Sequence, residues 1–443
     1  MNDILESLFI PYADSIRGNI TLPDNILGAH ISWESSDPCI ISDKAIDGKA
    51  AGVVNRGDED KKVSLKATVT YNGEVAEKVF DVTVLKAPKA ISDDDYEGYL
   101  FGHFVGEEDE NSEQIYFAIS DDGLNFKDMN CEKPVLISNV GEKGVRDPYI
   151  YRSKEGDRFF LIATDLSIYH RGGWFKNEQG YYDASTTGSS YLVLWESLDL
   201  VNWGEPKYIK VAPENAGMAW APEMIYNDET GEYIIFFSSS IMDPATKMKA
   251  KPNAIYYVAT RDFFHFSDTK IFIDNQMDNA TNEKGREIID TTVIKIGDYF
   301  YSASKDGDND ETSGGIRILK NKNLLDKDSW EKVLNLSELS LNLDGLKIDR
   351  LDNSTLEGPE LFRYNKKDWA DPNVPEYGIM ADQYSVGAGY LPLTTTDLED
   401  TDNSKGSWKL LKDKDYSFDK LKKRHGTIFC ITKEELERLK KAF

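Results

Sequence analysis

With 443 residues, 40% of them hydrophobic and 12% aromatic, the chain has material for two or three domains and a substantial core. Its 52 Lys and Arg against 78 Asp and Glu leave a net charge of −26, which repels phosphate backbones and anionic membrane surfaces; nucleic acid and membrane are excluded as expected partners. Cys39, Cys131 and Cys430 are odd in number, widely spaced and without CxxC spacing, so neither a disulfide framework nor a zinc site is indicated.

The opening stretch MNDILESLFIPYADS carries Asp3 and Glu6 where an export signal needs positive charge, and no apolar run is long enough to span a bilayer. A cytoplasmic protein is expected, with secretion as the alternative if a leader precedes this sequence. In residues 1–88, VSLKATVTYNGEVAEKVFDVTVL (63–85) alternates apolar and polar residues on both sides of Asn72-Gly73, the pair favoured in two-residue type I′ hairpins. With HISWESSDP (30–38) it predicts a small antiparallel β-sandwich, followed by a linker, KAPKAISDDD (86–95). This stretch resembles the reduced bacterial immunoglobulin-like modules attached to polysaccharide enzymes, and a structural spacer is its expected role.

Beyond Tyr96 one plan recurs: an alternating strand, a Ser/Thr/Arg-Asp turn, then an aromatic. It is clearest in IYFAISDDGLNFKD (115–128), YLVLWESLDLVNWGE (191–205) and IYYVATRDFFHFSD (255–268), and looser at 316–333 and 390–411. Hairpin-like pairs lie between the copies, at 147–165, 221–240, 290–305 and 358–385. Each unit then holds three to four short strands and no helix of consequence, which is the texture of a propeller blade. The fold class expected is all-β, a five-bladed β-propeller over residues 96–443 preceded by the small sandwich. YEGYLFGHFVGE (96–107) and HGTIFCIT (425–432) supply strands from the two ends for a shared closing blade, and Thr432 and Glu435 stand at capping-box spacing for a terminal helix.

In a propeller the first strand of each blade lines the axis. Asp147 in RDPY, Glu223 in APEM, Asp290 in IDTT and Glu357 in EGPE precede those strands and are expected at equivalent places around the channel mouth. A turn cap explains any one of them, but four crowded carboxylates repel one another. Such crowding raises the pKa of at least one group, so that a protonated acid and an ionised base coexist, and two carboxyls flanking a sugar are what glycosidic cleavage requires.

RDPYIY, WAPEMIY, IIDTTVI, LEGPELF and RHGTIF, in this order, resemble the signature stretches of glycoside hydrolase family 43 over residues 96–432. The resemblance implies Asp147 as general base, Asp290 as the group that tunes and orients the acid, and Glu357 as general acid. Thr291 replaces a proline common after the second aspartate, and Glu223 is left between binding a sugar hydroxyl and supporting Asp147. Family members often hold a hydrated calcium near the RHG histidine, so one ion at His425 in the central channel is implied, held mainly by water; no EF-hand loop is present. His170 and His265 read as ordinary packed or surface residues. Arg146, beside Asp147, and Asp165, in ATDLS, are further candidates for sugar binding. Tyr169, Trp174, Trp220 and Tyr384 either stack on sugar faces or pack in the core, with stacking favoured for Trp220.

The resemblance thus implies an inverting glycoside hydrolase releasing α-L-arabinofuranose or β-D-xylose from hemicellulose fragments such as arabinoxylan and arabinan. Two alternatives are a retaining β-fructosidase of a related five-bladed family, whose Asn-Asp-Pro-Asn and Glu-Cys motifs are absent here, and a non-catalytic carbohydrate-binding propeller. A plant cell-wall oligosaccharide or polysaccharide is the expected partner in either hemicellulose reading.

Overall fold

The computed structural model describes residues 1–274, 287–307 and 314–443. Numbered in chain order, the first domain holds helix α1 (Asn2–Ser7) and strands β1 (Asn25–Ile26), β2 (Ala29–Ser35), β3 (Lys61–Tyr71) and β4 (Glu74–Val84), paired in that order in one antiparallel sheet. Asn72 and Gly73 join β3 to β4 at φ 50° and 83°, the left-handed pair a type I′ turn requires. The second layer of the expected sandwich is mostly irregular chain: Ile10, Ile16, Ile20, Leu22 and Ile41 cover Val63, Leu65, Val82 and Val84. Only isolated bridges, Ile16 to Val84 and Ile41 to Val54, stand where a second sheet would be. The domain is tied to the rest by Arg17 and Arg56 on Asp157, at 2.9 and 2.7 Å, and by Arg261 donating to the carbonyls of Ala50 and Ala51.

The remaining strands are β5 (Tyr96–His103), β6 (Tyr116–Ser120) and β7 (Phe126–Asp128), then β8 (Val145–Arg152), β9 (Phe159–Asp165), β10 (Tyr191–Ser197) and β11 (Lys207–Lys210), with a short helix α2 (Ile168–Arg171) after β9. There follow β12 (Trp220–Asn227), β13 (Glu232–Ser239), β14 (Ala254–Thr260), β15 (Lys270–Ile273), β16 (Ile288–Ile296), β17 (Tyr299–Asp306), β18 (Gly315–Asn321) and β19 (Glu331–Asn335). Last come β20 (Glu357–Arg363), β21 (Tyr377–Asp382), β22 (Tyr390–Thr395), β23 (Trp408–Leu410), β24 (Thr427–Thr432) and helix α3 (Lys433–Ala442). Four blades are consecutive strand quartets, β8 to β11, β12 to β15, β16 to β19 and β20 to β23, and the fifth is ordered β24-β5-β6-β7. Pairing β24, from the far end of the chain, with β5 closes the ring. Facing sheets bury their apolar sides against each other, as where Phe160 and Ile162 of one blade meet Ile235 and Phe237 of the next.

The recurrent turn has a local cause. Ser120, Ser197 and Thr260 end third strands, and their hydroxyls accept the backbone N–H of Asp122, Asp199 and Asp262. Those carboxylates in turn accept the N–H groups two and three residues on, at 2.7 to 2.9 Å. The turn is therefore written into short polar side chains that outcompete strand continuation.

Four inner strands slip register at their start: between Arg146 and Tyr149, Trp220 and Glu223, Ile289 and Thr291, and Glu357 and Glu360. The bulged residues are Asp147, Ala221, Asp290 and Gly358, with φ of 50°, 47°, 52° and 52°. A bulge re-aims its side chain, and aspartate tolerates the left-handed region better than most residues. At Gly358 a side chain is impossible, because a Cβ there would lie 2.7 Å from the His425 ring. This register corrects the expected equivalence of the four acids. Asp147 and Asp290 are the bulged residues, Glu357 stands one residue before its bulge, and Glu223 stands two residues beyond, level with Glu360. Among the described residues no helix is long and apolar enough to cross a membrane.

Thr432 and Glu435 form the expected capping box on α3, and Arg152 of β8 donates to both oxygens of Glu435 at 2.6 and 2.8 Å. Loss of the cap alone in Thr432→Ala should cost about 1 kcal/mol. Glu435→Ala also strands the buried Arg152 charge and should cost about 3 to 5 kcal/mol. Equilibrium urea unfolding at unchanged m-value checks the order of the two variants.

Candidate active site

The inner-strand bulges and the segment before β24 bring Asp147, Asp290, Glu357 and His425 to the wall of one cavity of about 380 Å³. Asp147 is held on both oxygens. Thr164 of β9 donates its hydroxyl to Oδ2 at 2.8 Å, and Nδ1 of His425 faces Oδ1 at 3.4 Å. Thr164 also accepts the N–H of the bulged Ala221, so neighbouring blades meet at this hydroxyl. Burial opposes a charge on Asp147, but the hydrogen bond and charge of His425, the charge of Arg146 and the Thr164 hydroxyl together hold its pKa below the usual range. The pair answers at His425: burial works against the imidazolium, yet Asp147 carries its pKa up to about 9. At neutral pH this is an ion pair with an ionised carboxylate facing the cavity.

Asp290 behaves oppositely. Burial, reinforced by the charges of Glu357 and Asp147, raises it to about 6, and its Oδ2 accepts the N–H of the bulged Gly358 at 3.2 Å. It thereby fixes the backbone that directs Glu357. Thr291, where a proline was the commoner residue, binds Ser304 of β17 through its hydroxyl at 2.7 Å. Glu357 has a cation at each oxygen, Lys305 Nζ at 3.1 Å from Oε2 and Arg424 Nη2 at 3.4 Å from Oε1. Burial raises its pKa, but these charges prevail and lower it.

Of the residues expected at the sugar, Arg146, Trp220 and Tyr384 line the cavity, together with Trp174. Arg146 is fixed by Glu107 at 2.8 Å and Glu113 at 3.3 Å and lies over the rings of Phe104 and Trp174. Trp220 stands edge-on to Trp174 with centroids 6.2 Å apart, and its indole N–H has no partner among the described residues. Tyr384 donates its hydroxyl to the Asn353 carbonyl at 2.6 Å, and Lys305 covers its ring. Tyr169 is exposed and lies outside the lining.

Asp165 and Glu223 do not reach the cavity. Asp165 is fully buried behind it, accepting from Tyr208 at 2.6 Å and from the Glu142 N–H at 2.7 Å, so it anchors the 141–142 loop instead of offering its carboxylate to a sugar. Glu223, 4% exposed, is carried one layer down the channel by the bulge, where it meets Glu360 beside Thr292. Burial raises both acids, Glu360 to about 8, and the charge of Glu360 adds to the rise at Glu223. His170 binds Ser167 and His265 binds Asp262, both in ordinary structural places.

The donors do not fit a directly ligated ion at His425. Its Nδ1 faces Asp147, and among the described residues no group of three or more His, Cys, Asp or Glu is placed to hold a metal.

Sequence reading missed Lys305, Arg424, Asp382 and Glu360. Arg424 is the arginine of the RHG motif itself, and it donates its Nε–H to Asp382. Lys305 and Asp382 sit near the ends of otherwise apolar second strands, a pattern visible in YSASKD and YGIMAD. The dipeptide Pro-Glu, shared by WAPEM and EGPEL, marks Glu223 and Glu360 as the equivalent pair.

Comparison with known proteins agrees with this geometry. Residues 94–437 match a family described as a probable glycosyl hydrolase domain and related to glycoside hydrolase family 43, and residues 7–87 match the atrophied bacterial Ig domain. An α-L-arabinofuranosidase of Bifidobacterium longum subsp. longum is 30% identical over 400 residues, covering 82% of this chain and 35% of its own length. The chain thus spans about a third of the length of the curated relative it matches. Among solved structures, an α-L-arabinofuranosidase from Lactobacillus brevis is 16% identical at a TM-score of 0.40, covering 68% of this chain and 92% of its own. An exo-β-1,3-galactanase from Clostridium thermocellum is 14% identical at a TM-score of 0.38, covering 62% and 51% respectively. Likenesses at that level carry no argument here, whereas the family match takes in every blade and each of the cavity carboxylates. On that match the chain belongs to the glycosyl hydrolases related to glycoside hydrolase family 43 and carries an atrophied bacterial Ig domain ahead of its propeller.

Proposed function

We propose that this chain is an inverting glycoside hydrolase that releases α-L-arabinofuranose or β-D-xylose from the ends or branches of arabinoxylan and arabinan fragments of plant cell walls. One observation carries the reading: an ionised carboxylate, Asp147 on β8, and a second carboxyl, Glu357 on β20, enter the same cavity from different blades. The name of the 30% identical relative supports arabinose as the sugar.

In this reading the sugar lies between the two carboxyl groups. Asp147 takes a proton from water as the water oxygen bonds to the anomeric carbon. The glycosidic C–O bond breaks with its electron pair going to oxygen, and Glu357 supplies the proton that oxygen needs. Attack on the face opposite the leaving group inverts the anomeric centre. Asp290 holds the Gly358 bulge and with it the direction of Glu357. Arg146, in the lining, supplies donors for sugar hydroxyls, and Trp220 offers ring surface to a sugar face.

Nitrophenyl α-L-arabinofuranoside or β-D-xyloside should be cleaved, and proton NMR of the first product should show the inverted anomer. A retained anomer, or sugar binding without turnover across arabinoxylan, arabinan and xylo-oligosaccharides, would overturn the proposal. Asp147→Asn should keep binding and lose about 10²- to 10⁴-fold in kcat, since the amide cannot accept the proton. Glu357→Gln should lose less on a nitrophenyl glycoside than on a natural disaccharide, whose leaving group needs the proton more.

The base must be ionised, and His425 holds the Asp147 pKa down. In His425→Gln that pKa should rise, so the acid limb of kcat/KM should move to higher pH. A pH profile of the variant against wild type checks the direction.

A further inference from the structure

A general acid must carry a proton before it can give one, yet Glu357 meets a cation at each oxygen. Lys305, next to the last residue of β17, points its ammonium at Oε2 from 3.1 Å with its side chain wholly buried. The Tyr384 ring lies 4.3 Å from the same ammonium and is held in place by the bond from its hydroxyl to Asn353. Arg424 reaches Oε1 less closely, at 3.4 Å, and its Nε is spent on Asp382.

We propose that Lys305 is a positioning residue for the reaction, the fixed counter-ion of Glu357 that aims its carboxyl and sets the upper pH limit of activity. The assignment rests on the acid role given to Glu357 above. Other charged groups act on Glu357: Arg424 ahead of β24, Asp382 of β21, Asp290 of β16 and Arg146 of β8, with Asp147 and His425 in the same cavity wall. Arg146 and Arg424 are committed to Glu107, Glu113 and Asp382, whereas Lys305 makes the nearest approach of a cation to Glu357.

A buried counter-ion has two consequences. It favours the carboxylate, so Glu357 is protonated over a lower pH range than an unpaired glutamate. It also makes Glu357 a stronger acid: when the O–H bond breaks and the proton passes to the glycosidic oxygen, the carboxylate left behind is already paired. Asp147 meanwhile holds the proton from the attacking water, and exchange with solvent restores both groups.

The test is the pH profile of kcat/KM, whose alkaline limb reports the acid in the free enzyme. In Lys305→Met that limb should move up by about one pH unit or more, the effect of removing an opposite charge within ~4 to 6 Å. Lys305→Arg should keep it near wild type. At the acid plateau, Lys305→Met should lose more rate on a natural disaccharide than on a nitrophenyl glycoside. An unmoved limb in Lys305→Met, or an equal displacement in Lys305→Arg, would overturn the assignment. Should Lys305→Met not fold, Lys305→Gln removes the charge while leaving a donor for Oε2 and serves the same test. Carboxyl ¹³C NMR titration of Glu357, identified by its loss in Glu357→Gln, reads the same displacement without any turnover. A failure of the glycosidase reading would abolish hydrolysis and leave this titration difference intact, whereas an unchanged titration would remove Lys305 alone.

Discussion

Everything in the cavity depends on a backbone departure repeated at the start of four inner strands. A regular strand presents alternate residues to its two faces, so its side chains could only run along the channel wall. One extra residue held at positive φ breaks that alternation and turns a single side chain toward the axis. In two blades the position is filled by aspartate, which tolerates the conformation and supplies the chemistry; in the other two it is filled by Ala221 and Gly358, which serve the packing. The bulges thus divide the channel into levels, with the ionised and titrating groups at the mouth and the Glu223 and Glu360 pair beneath.

The cavity also displays a division of charge. Although the chain carries a net charge of −26, two of the cavity carboxyls meet local cations: Asp147 meets His425, and Glu357 meets Lys305 and Arg424. Among the described residues no cation hydrogen-bonds Asp290, and burial raises its pKa. Overall acidity therefore says little about the site. What decides the protonation of each acid is which blade delivers a base to it.

The sequence disclosed the architecture because the features that set it are local. Ser/Thr-Asp turns, Asn-Gly, Asp-Pro and the capping box each act within a few residues, and their repetition is enough to count blades. It disclosed Asp147, Asp290 and Glu357 through short motifs, but not their relative levels, because a bulge shifts register by one residue without a composition change. Glu223 therefore reads as a mouth residue from its motif, and nothing beside Glu360 but the shared Pro-Glu marks it as the partner one level down. Asp165 was misplaced for a related reason: the end of a second strand reads alike whether its side chain turns to the cavity or away from it. The pairing of Lys305 and of Arg424 with Glu357 has no local signature, although Arg424 stands within RHG, since each meets Glu357 only across blades.

The closing blade has a consequence for how such a protein comes to be. Its innermost strand is β24, and Arg424 and His425 arrive with it, more than three hundred residues after β5, the strand it pairs with. The cation partner of the base, and the second of the two cations at the acid, are thus delivered by the last segment of the ring in sequence, through contacts of the longest sequence separation in the propeller. A chain that ends before Arg424 keeps Lys305 beside Glu357 but leaves Asp147 without its imidazolium. Ring closure and the pairing of Asp147 with His425 are therefore one event, because the same strand start provides both.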